Sequence, residues 1–452
     1  MKTILVTIFH GAAAKNILRT GVMKTLLRPP DVRVVCLMRF SDRADSYRVE
    51  IPHERVVYDT FYKTPSGALE RFFSFMKYRL IRTATTDLRH EISFDKHRSY
   101  ALYGAAVFLN FIVARPVIRK ALRFLDYYFI GDPGFGGILE KYKPDAVFIT
   151  HLFDDGEISL LREAKKRRIP AIGFINSWDK LTARCSIRLL PDKLIVFNDI
   201  VKGEAEEYAD MPASRIAVCG IPQYDQYVTD KPTPRGEFFK KIGIDPKKSL
   251  ILYSPRGIVF SASDWAVIDF LHDSIVRGEI GEADMLVRFP PNDFLDESEL
   301  SKRPWLKYDL PGRRFGIKRS VDWDMDFEEL KHLTNSLAHA SLIVGYTSSI
   351  AIDAAVFDKP IIGINFEICD NLPLVASPTA YYRTEHFSKA LRAGGIRQVG
   401  SKQEFLEAIK AYLCDPLLDR AGRRRLAEEQ CWRLDGKSGE RIAEAILEKL
   451  RK

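Results

Sequence analysis

The chain has 452 residues, 46% of them hydrophobic, and a formal net charge of +9. This length exceeds one ordinary core, so two domains are expected, and the apolar-rich, mixed-charge composition excludes a disordered or fibrous chain. Six scattered cysteines without a Cys-x-x-Cys pair exclude a disulfide scaffold or a zinc ribbon and point to a reducing cytoplasm.

At the N-terminus the apolar run Ile4 to Phe9 is short and lacks the cleavage site of a signal peptide, so Thr3 to Phe9 reads as a buried strand. His10 ends it, followed by Gly11 and three alanines that let a ligand approach the backbone. An imidazole there is a candidate general base; the plain alternative is a turn histidine capped by backbone. A helix is predicted over Ala12 to Leu27 and a strand over Val32 to Leu37.

Residues 61–130 read as a helical insert. Arg71, Lys77, Arg79, Arg82, Arg89, Lys96 and Arg98 interleave with aromatic residues, and the apolar stretch Ala101 to Ala114 is too short to span a bilayer. Two readings stand side by side: a basic, aromatic face resting on an anionic membrane, or a cap buried on its domain with solvated cations. No nucleic-acid motif accompanies the positive charge.

A strand is predicted over Asp145 to Thr150 and a helix over Gly156 to Arg167. Asp154 and Asp155 between them are the runner-up base, although Asp155 also suits a helix cap. After the strand Ala171 to Ile175, a polar loop offers Trp178 to stack on a sugar, with Asn176 and Asp179 to bond its hydroxyls. A tryptophan anchoring that loop in the core is the alternative. Strands at Lys193 to Phe197 and Ile216 to Cys219, with a helix over Ile200 to Tyr208, complete a parallel sheet. Residues 231–248, rich in Pro, Lys and Gly, read as a linker between domains 1–230 and 249–452, with the last helix a candidate to pack back on the first domain.

In the second half the strand Leu342 to Val344 ends at Gly345, Ser348 and Ser349 open a helix over Ile350 to Phe357, and Ile361 to Ile364 forms the next strand. Hydroxyls and free N–H groups at a helix start suit a phosphate; the alternative makes Ser348 a simple N-cap. Arg256 and Arg288 end strands as candidate phosphate clamps. Asn365 and Glu367 follow a strand and suit a ribose or sugar hydroxyl. The acidic run Asp322, Asp324 and Asp326 precedes a helix and reads as an N-terminal charge cluster rather than a metal site.

Residues 343–366 (IVGYTSSIAIDAAVFDKPIIGINF), 249–257 (SLILYSPRG), 286–292 (LVRFPPN) and the tail Asp435-Gly436-Lys437-Ser438 together resemble the C-terminal half of GT-B glycosyltransferases. They are most similar to the branch near the bacterial CDP-glycerol glycerophosphotransferases, in which a Ser-Ser pair contacts the donor phosphates. Phe289 and Pro290 depart from that family's histidine-containing strand end. Gly220, in Gly-x-Pro, resembles the turn at the cleft floor of related proteins, where backbone approaches the donor.

The resemblance implies an α/β fold with two Rossmann-like, doubly wound parallel sheets facing across a cleft. The donor would bind mainly on the second domain and the acceptor on the first. It implies a metal-independent transfer from a nucleotide-sugar donor to a glycan or lipid-linked hydroxyl acceptor, without a cofactor or nucleic acid. The setting would be envelope or surface-polysaccharide synthesis, in the cytoplasm or peripherally on the inner membrane face. Polyol-phosphate transfer from a CDP donor, a nucleotide-sugar 2-epimerase and a non-catalytic docking protein are the alternatives.

Overall fold

Fully buried runs such as Ile4, Leu5 and Val6, or Leu342, Ile343 and Val344, can satisfy their backbone only inside a sheet covered on both faces. In the computed structural model, which describes every residue except 64–65, 258–259, 292–294, 316–322 and 452, they do so in two sheets. The first holds β1 (Lys2–Ile8), β2 (Val32–Met38), β3 (Val56–Thr60), β4 (Ala146–Ile149), β5 (Ala171–Phe174), β6 (Lys193–Val196) and β7 (Ile216–Val218). Its order is β3-β2-β1-β4-β5-β6-β7, and all its pairs are parallel. In the second half lie β8 (Ser249–Ser254), β9 (Ala283–Arg288), β10 (Tyr308–Asp309), the small hairpin β11 (Arg313–Arg314) and β12 (Trp323–Asp324), then β13 (Leu342–Gly345), β14 (Ile361–Ile364) and β15 (Arg397–Val399). The second sheet runs β10-β9-β8-β13-β14-β15, again all parallel.

Two compact units result. One comprises Met1–His90, Ser99–Gln226 and Trp432–Lys452, and the other Glu91–Arg98 and Tyr227–Cys431. In each, helices cover the sheet, and the core is aliphatic and aromatic: Phe9, Val147 and Ile158 in the first unit, Ile251, Val344 and Phe405 in the second.

Several elements depart from expectation. The helix predicted over Ala12 to Leu27 is broken into a short turn, a wide π-turn (Ala14–Leu18) and the helix Gly21–Leu26. Thr20 causes the restart: its hydroxyl donates to the Asn16 carbonyl at 2.8 Å and accepts from the Val22 N–H at 3.4 Å. The strand β3 and the helix Ser41–Glu50 were not anticipated, because their polar residues hide the apolar period. Residues 231–248 contain the helix Arg235–Lys241, whose Phe238 and Phe239 are buried; Phe238 packs against His332 and His339, and Phe239 against His339, so the segment is held to the helix Phe327–His339. The insert is helical as expected, in four helices: Ala68–Met76, Ala84–His97, Tyr100–Val113 and Pro116–Phe129.

The last helix, Ser438–Leu450, belongs to the first unit. Asp225 accepts the N–H groups of Ser438 at 3.0 Å and Gly439 at 2.7 Å, which caps it. Gly439 crosses the helix Gly21–Leu26 so closely that a Cβ would lie 2.9 Å from the Val22 nitrogen and 3.0 Å from Gly21 backbone atoms. Backbone cannot yield to a methyl group here, so Gly439→Ala is expected to destabilise by about 1–3 kcal/mol. The checks are the thermal midpoint and proteolysis of the C-terminal helix; an unchanged midpoint would contradict the close crossing.

Candidate functional site

Each sheet reverses its strand order once. In the first unit, β2 and β3 build outward on one side of β1, and β4 to β7 build outward on the other. The crevice outside the carboxyl ends of β1 and β4 is therefore the switch point, where open α/β sheets take ligands. His10 follows β1; His151 and Asp154 follow β4. The side chains converge, with His10 Nε2 lying 3.4 Å from an Asp154 carboxylate oxygen and the two imidazole rings 4.6 Å apart.

Asp154, not Asp155, caps the helix Asp155–Lys166, accepting the N–H groups of Gly156 at 2.9 Å and Glu157 at 3.1 Å. This corrects the sequence expectation, and the reason is the neighbour's partners. Asp155 is engaged by Lys77 at 2.7 Å, Arg188 at 2.9 Å and the Ser74 hydroxyl at 2.8 Å. Burial pushes the Asp154 carboxyl up, but the His10 ring and the helix N–H groups outweigh it and hold the group below its ordinary range. It is thus an ionised carboxylate beside the His10 ring, whose Nε2 is buried without a hydrogen-bond partner among the described residues.

Three neighbours were missed by sequence reasoning. Burial, reinforced by Lys180, drives His151 well below the usual imidazole range, so the ring is neutral; its Nε2 lies 3.3 Å from the Lys180 ammonium. Lys180 itself is pushed down to about 8 by burial. Glu157 is fully enclosed and raised well above the carboxylate range by burial and by the Asp154 charge. It accepts the Thr7 hydroxyl at 2.6 Å and the His151 N–H at 2.9 Å. The available signal was position: His151 stands directly after β4, and Lys180 ends the loop that follows β5.

That loop carries the expected acceptor residues. Asn176 is buried, with its amide nitrogen unpartnered among the described residues, while Trp178 and Asp179 are half-buried and Asp179 accepts the Ser177 hydroxyl. Gly220 has φ +87°, and the space beside its Cα is taken by Ser438.

The second unit repeats the arrangement. Its order reverses between β8 and β13, so the switch point lies between the loop at Arg256 and the turn at Tyr346 to Ser349. Arg256 joins the two loops by donating to the Thr347 carbonyl, and its guanidinium lies 4.3 Å from the Tyr381 ring centroid and 4.7 Å from that of Phe260. The backbone N–H groups of Arg256 and Gly257 each donate to Asp264 at 3.0 Å, and the Tyr253 hydroxyl donates to it at 2.7 Å. Burial pushes Asp264 up to about 7 and Arg256 down to about 10. Arg256 Nε, Thr347 Oγ1 and the Tyr346 hydroxyl are buried without a hydrogen-bond partner among the described residues. Ser348 is half-buried and Ser349 exposed, so neither hydroxyl is sealed in the core.

The other candidates range from buried to exposed. Arg288 is buried and pairs with Asp309 at 3.0 Å, which also binds His332 at 2.8 Å. Asn365 is exposed, its N–H donating to the Val399 carbonyl at 2.8 Å. Glu367 accepts from the hydroxyls of Ser377 and Thr379. Asn292 and Asp322 lie outside the described residues. Asp326 caps the helix Phe327–His339 through the Glu329 N–H at 2.9 Å.

Solved structures share the fold of two parallel-sheet α/β domains. UDP-GlcNAc 2-epimerase from Neisseria meningitidis, bound to UDP-GlcNAc, matches 99% of this chain and 100% of its own at a TM-score of 0.55 and 12% identity. UDP-GlcNAc 2-epimerase from Methanocaldococcus jannaschii matches over 99% and 100% at a TM-score of 0.54 and 13% identity. The chain has the GT-B fold. A glycosyltransferase from Rickettsia africae with the same fold matches over 100% and 99%, at a TM-score of 0.50 and 10% identity. No protein-family model and no curated protein matches the sequence.

Proposed function

We propose that this chain is a nucleotide-sugar-dependent glycosyltransferase that uses His10 as general base on a hydroxyl acceptor. The observation that carries the reading is the His10–Asp154 pair at the switch point of the first sheet. An imidazole takes the acceptor proton as the hydroxyl oxygen attacks the anomeric carbon, and Asp154 stabilises the imidazolium that forms. In the second unit, Arg256 and the hydroxyls of Thr347, Ser348 and Ser349 supply positive charge and donors for the departing phosphate, so the transfer is proposed to need no metal. Asn176, Trp178 and Asp179 are the proposed acceptor contacts, and Asn365 and Glu367 the proposed donor-hydroxyl contacts. Arg288 takes a supporting place, because Asp309 already neutralises it. The acceptor class is a glycan or lipid-linked alcohol of the cell envelope.

A second reading, a nucleotide-sugar 2-epimerase, is favoured by the neutral His151 and the proton-holding Glu157 beside the same pair. Inverting a C–H centre requires proton removal from one face and return to the other, for which two separate acid–base groups are suited.

The test is calorimetric titration of UDP, UDP-N-acetylglucosamine and CDP-glycerol into the wild type and a Ser348→Ala/Ser349→Ala variant. Binding of a UDP compound that weakens about tenfold or more in the variant, as expected for lost charge-assisted bonds, supports the reading. Preference for CDP-glycerol would move it to polyol-phosphate transfer, and turnover of UDP-N-acetylglucosamine without acceptor would move it to the epimerase. No binding to any of the three would leave the scaffold as a docking protein.

A further inference from the structure

Two consecutive helices of the first unit are inside out. In Tyr100–Val113, fourteen residues long and free of charge, the one buried residue is the polar Asn110. Its amide donates to the carbonyls of Arg79 at 2.8 Å and Ile81 at 2.9 Å, so the polar side chain is the anchor. The apolar side chains face outward: Leu102 is 64% and Phe108 65% exposed. In the following helix, Pro116–Phe129, the buried residues are Arg119 and Asp126, whereas Val117, Phe124 and Phe129 are 60% exposed or more. A helix on a water-facing surface shows the opposite distribution. An apolar area of this extent on a monomer marks a binding face.

The charge around these helices identifies what covers them. Arg82 and Arg115 reach over the Phe111 ring at 5.7 and 4.8 Å, and Lys120 is exposed. Across residues 99–130 the sole acid is Asp126, which is buried against Arg162 and Arg188. The exposed charges that residues 99–130 contribute to the rim are therefore cationic. A second copy seated across a two-fold axis would set this rim against itself. An anionic bilayer would neutralise it while taking up the aromatic and leucine side chains. Neither helix, at about 21 Å, reaches across a hydrocarbon core of about 30 Å. Among the described residues no single helix is long and apolar enough to cross, and these two meet at 84°. They suit lying in the interface.

We propose that the helices Tyr100–Val113 and Pro116–Phe129 dock this protein on the surface of an anionic phospholipid bilayer. Leu102, Phe108 and Phe124 enter the acyl boundary, and Arg82, Arg115 and Lys120 sit among the headgroup phosphates. The proposal rests on this burial pattern and stands whether or not the chain transfers a sugar.

The experiment is flotation of the full chain with phosphatidylcholine vesicles containing about one-third phosphatidylglycerol, compared with phosphatidylcholine alone, at low and high salt. The wild type is expected to float with the anionic vesicles and to be partly released by salt. Leu102→Glu/Phe108→Glu should lower the bound fraction about tenfold or more, and Arg82→Glu/Arg115→Glu should do so on anionic vesicles. All four positions are exposed, so the thermal midpoint and UDP titration should match the wild type. Wild-type protein remaining at the bottom of the gradient with both vesicle types overturns the proposal. So does a dimer, detected by light scattering, that the Leu102→Glu/Phe108→Glu variant dissociates. If the glycosyltransferase reading fails but flotation holds, the chain still docks on membranes.

Discussion

Replacing His10 by glutamine is expected to lower turnover of a bound nucleotide sugar by about 10²–10⁴-fold, the usual contribution of a positioned acid or base. Glutamine preserves volume and a donor toward Asp154 but cannot accept a proton at neutral pH. The carboxylate would remain held by the Gly156 and Glu157 N–H groups, so local structure should survive. Affinity for UDP, measured by calorimetry, should stay near wild type because the proposed phosphate contacts belong to the second sheet's turn. A loss of kcat with unchanged donor affinity is the signature sought. Turnover at the wild-type rate would remove His10 from the mechanism, and a comparable loss in Asp154→Asn with His10 intact would mark the aspartate as the positioning partner.

The largest structural effect is expected from Asp126→Ala. Asp126 is 1% exposed and accepts from Arg162 at 2.6 Å and Arg188 at 2.7 Å. Arg188 reaches onward to Glu70 and to Asp155. One carboxylate thus links the insert to the helix Asp155–Lys166, whose start carries Asp154. Removing it leaves Arg162 enclosed with Ser159 at 3.4 Å and Glu70 at 3.9 Å as its remaining partners. Stripping one member from a buried charge network costs about 3–5 kcal/mol, because the surviving charge keeps its desolvation penalty without compensation. Asp126→Asn should cost less, since an amide oxygen still accepts one of the two bonds. Two units make one global unfolding free energy ill-defined. Amide exchange along Asp155–Lys166 is therefore the suitable measurement, and unchanged protection there would show that the network contributes nothing net.

Much of the architecture was legible in local pattern. Apolar runs bounded by Gly, Pro and polar turns marked β1, β2, β4 to β8, β13 and β14, because a strand buried on both faces leaves no room for polar residues. Small polar residues after β13 likewise marked a helix start beneath a sheet edge. Where burial was partial the pattern weakened. In β3 (VVYDT), Asp59 is drawn to the sheet edge by Lys141 at 2.7 Å, so its alternation resembled a loop. Adjacent carboxylates were also indistinguishable in sequence: Asp154 turns back to the helix N–H groups and His10, Asp155 to Lys77 and Arg188, and only packing separates them.

Residue order alone therefore specified an α/β chain with two parallel sheets, a helical insert and polar strand ends at His10, Asp154 and Ser348, since each follows from period and turn chemistry within a few neighbours. Strand order was another matter. That β1 lies beside β4, and β8 beside β13, depends on crossovers spanning tens of residues, and it is this adjacency that brings His10 to Asp154 and Arg256 to Thr347. The outward face of the Tyr100 helix was likewise decided in three dimensions. Apart from Asn110 the helix has no polar stripe to orient it, and the two hydrogen bonds of Asn110 are seen only in the folded chain.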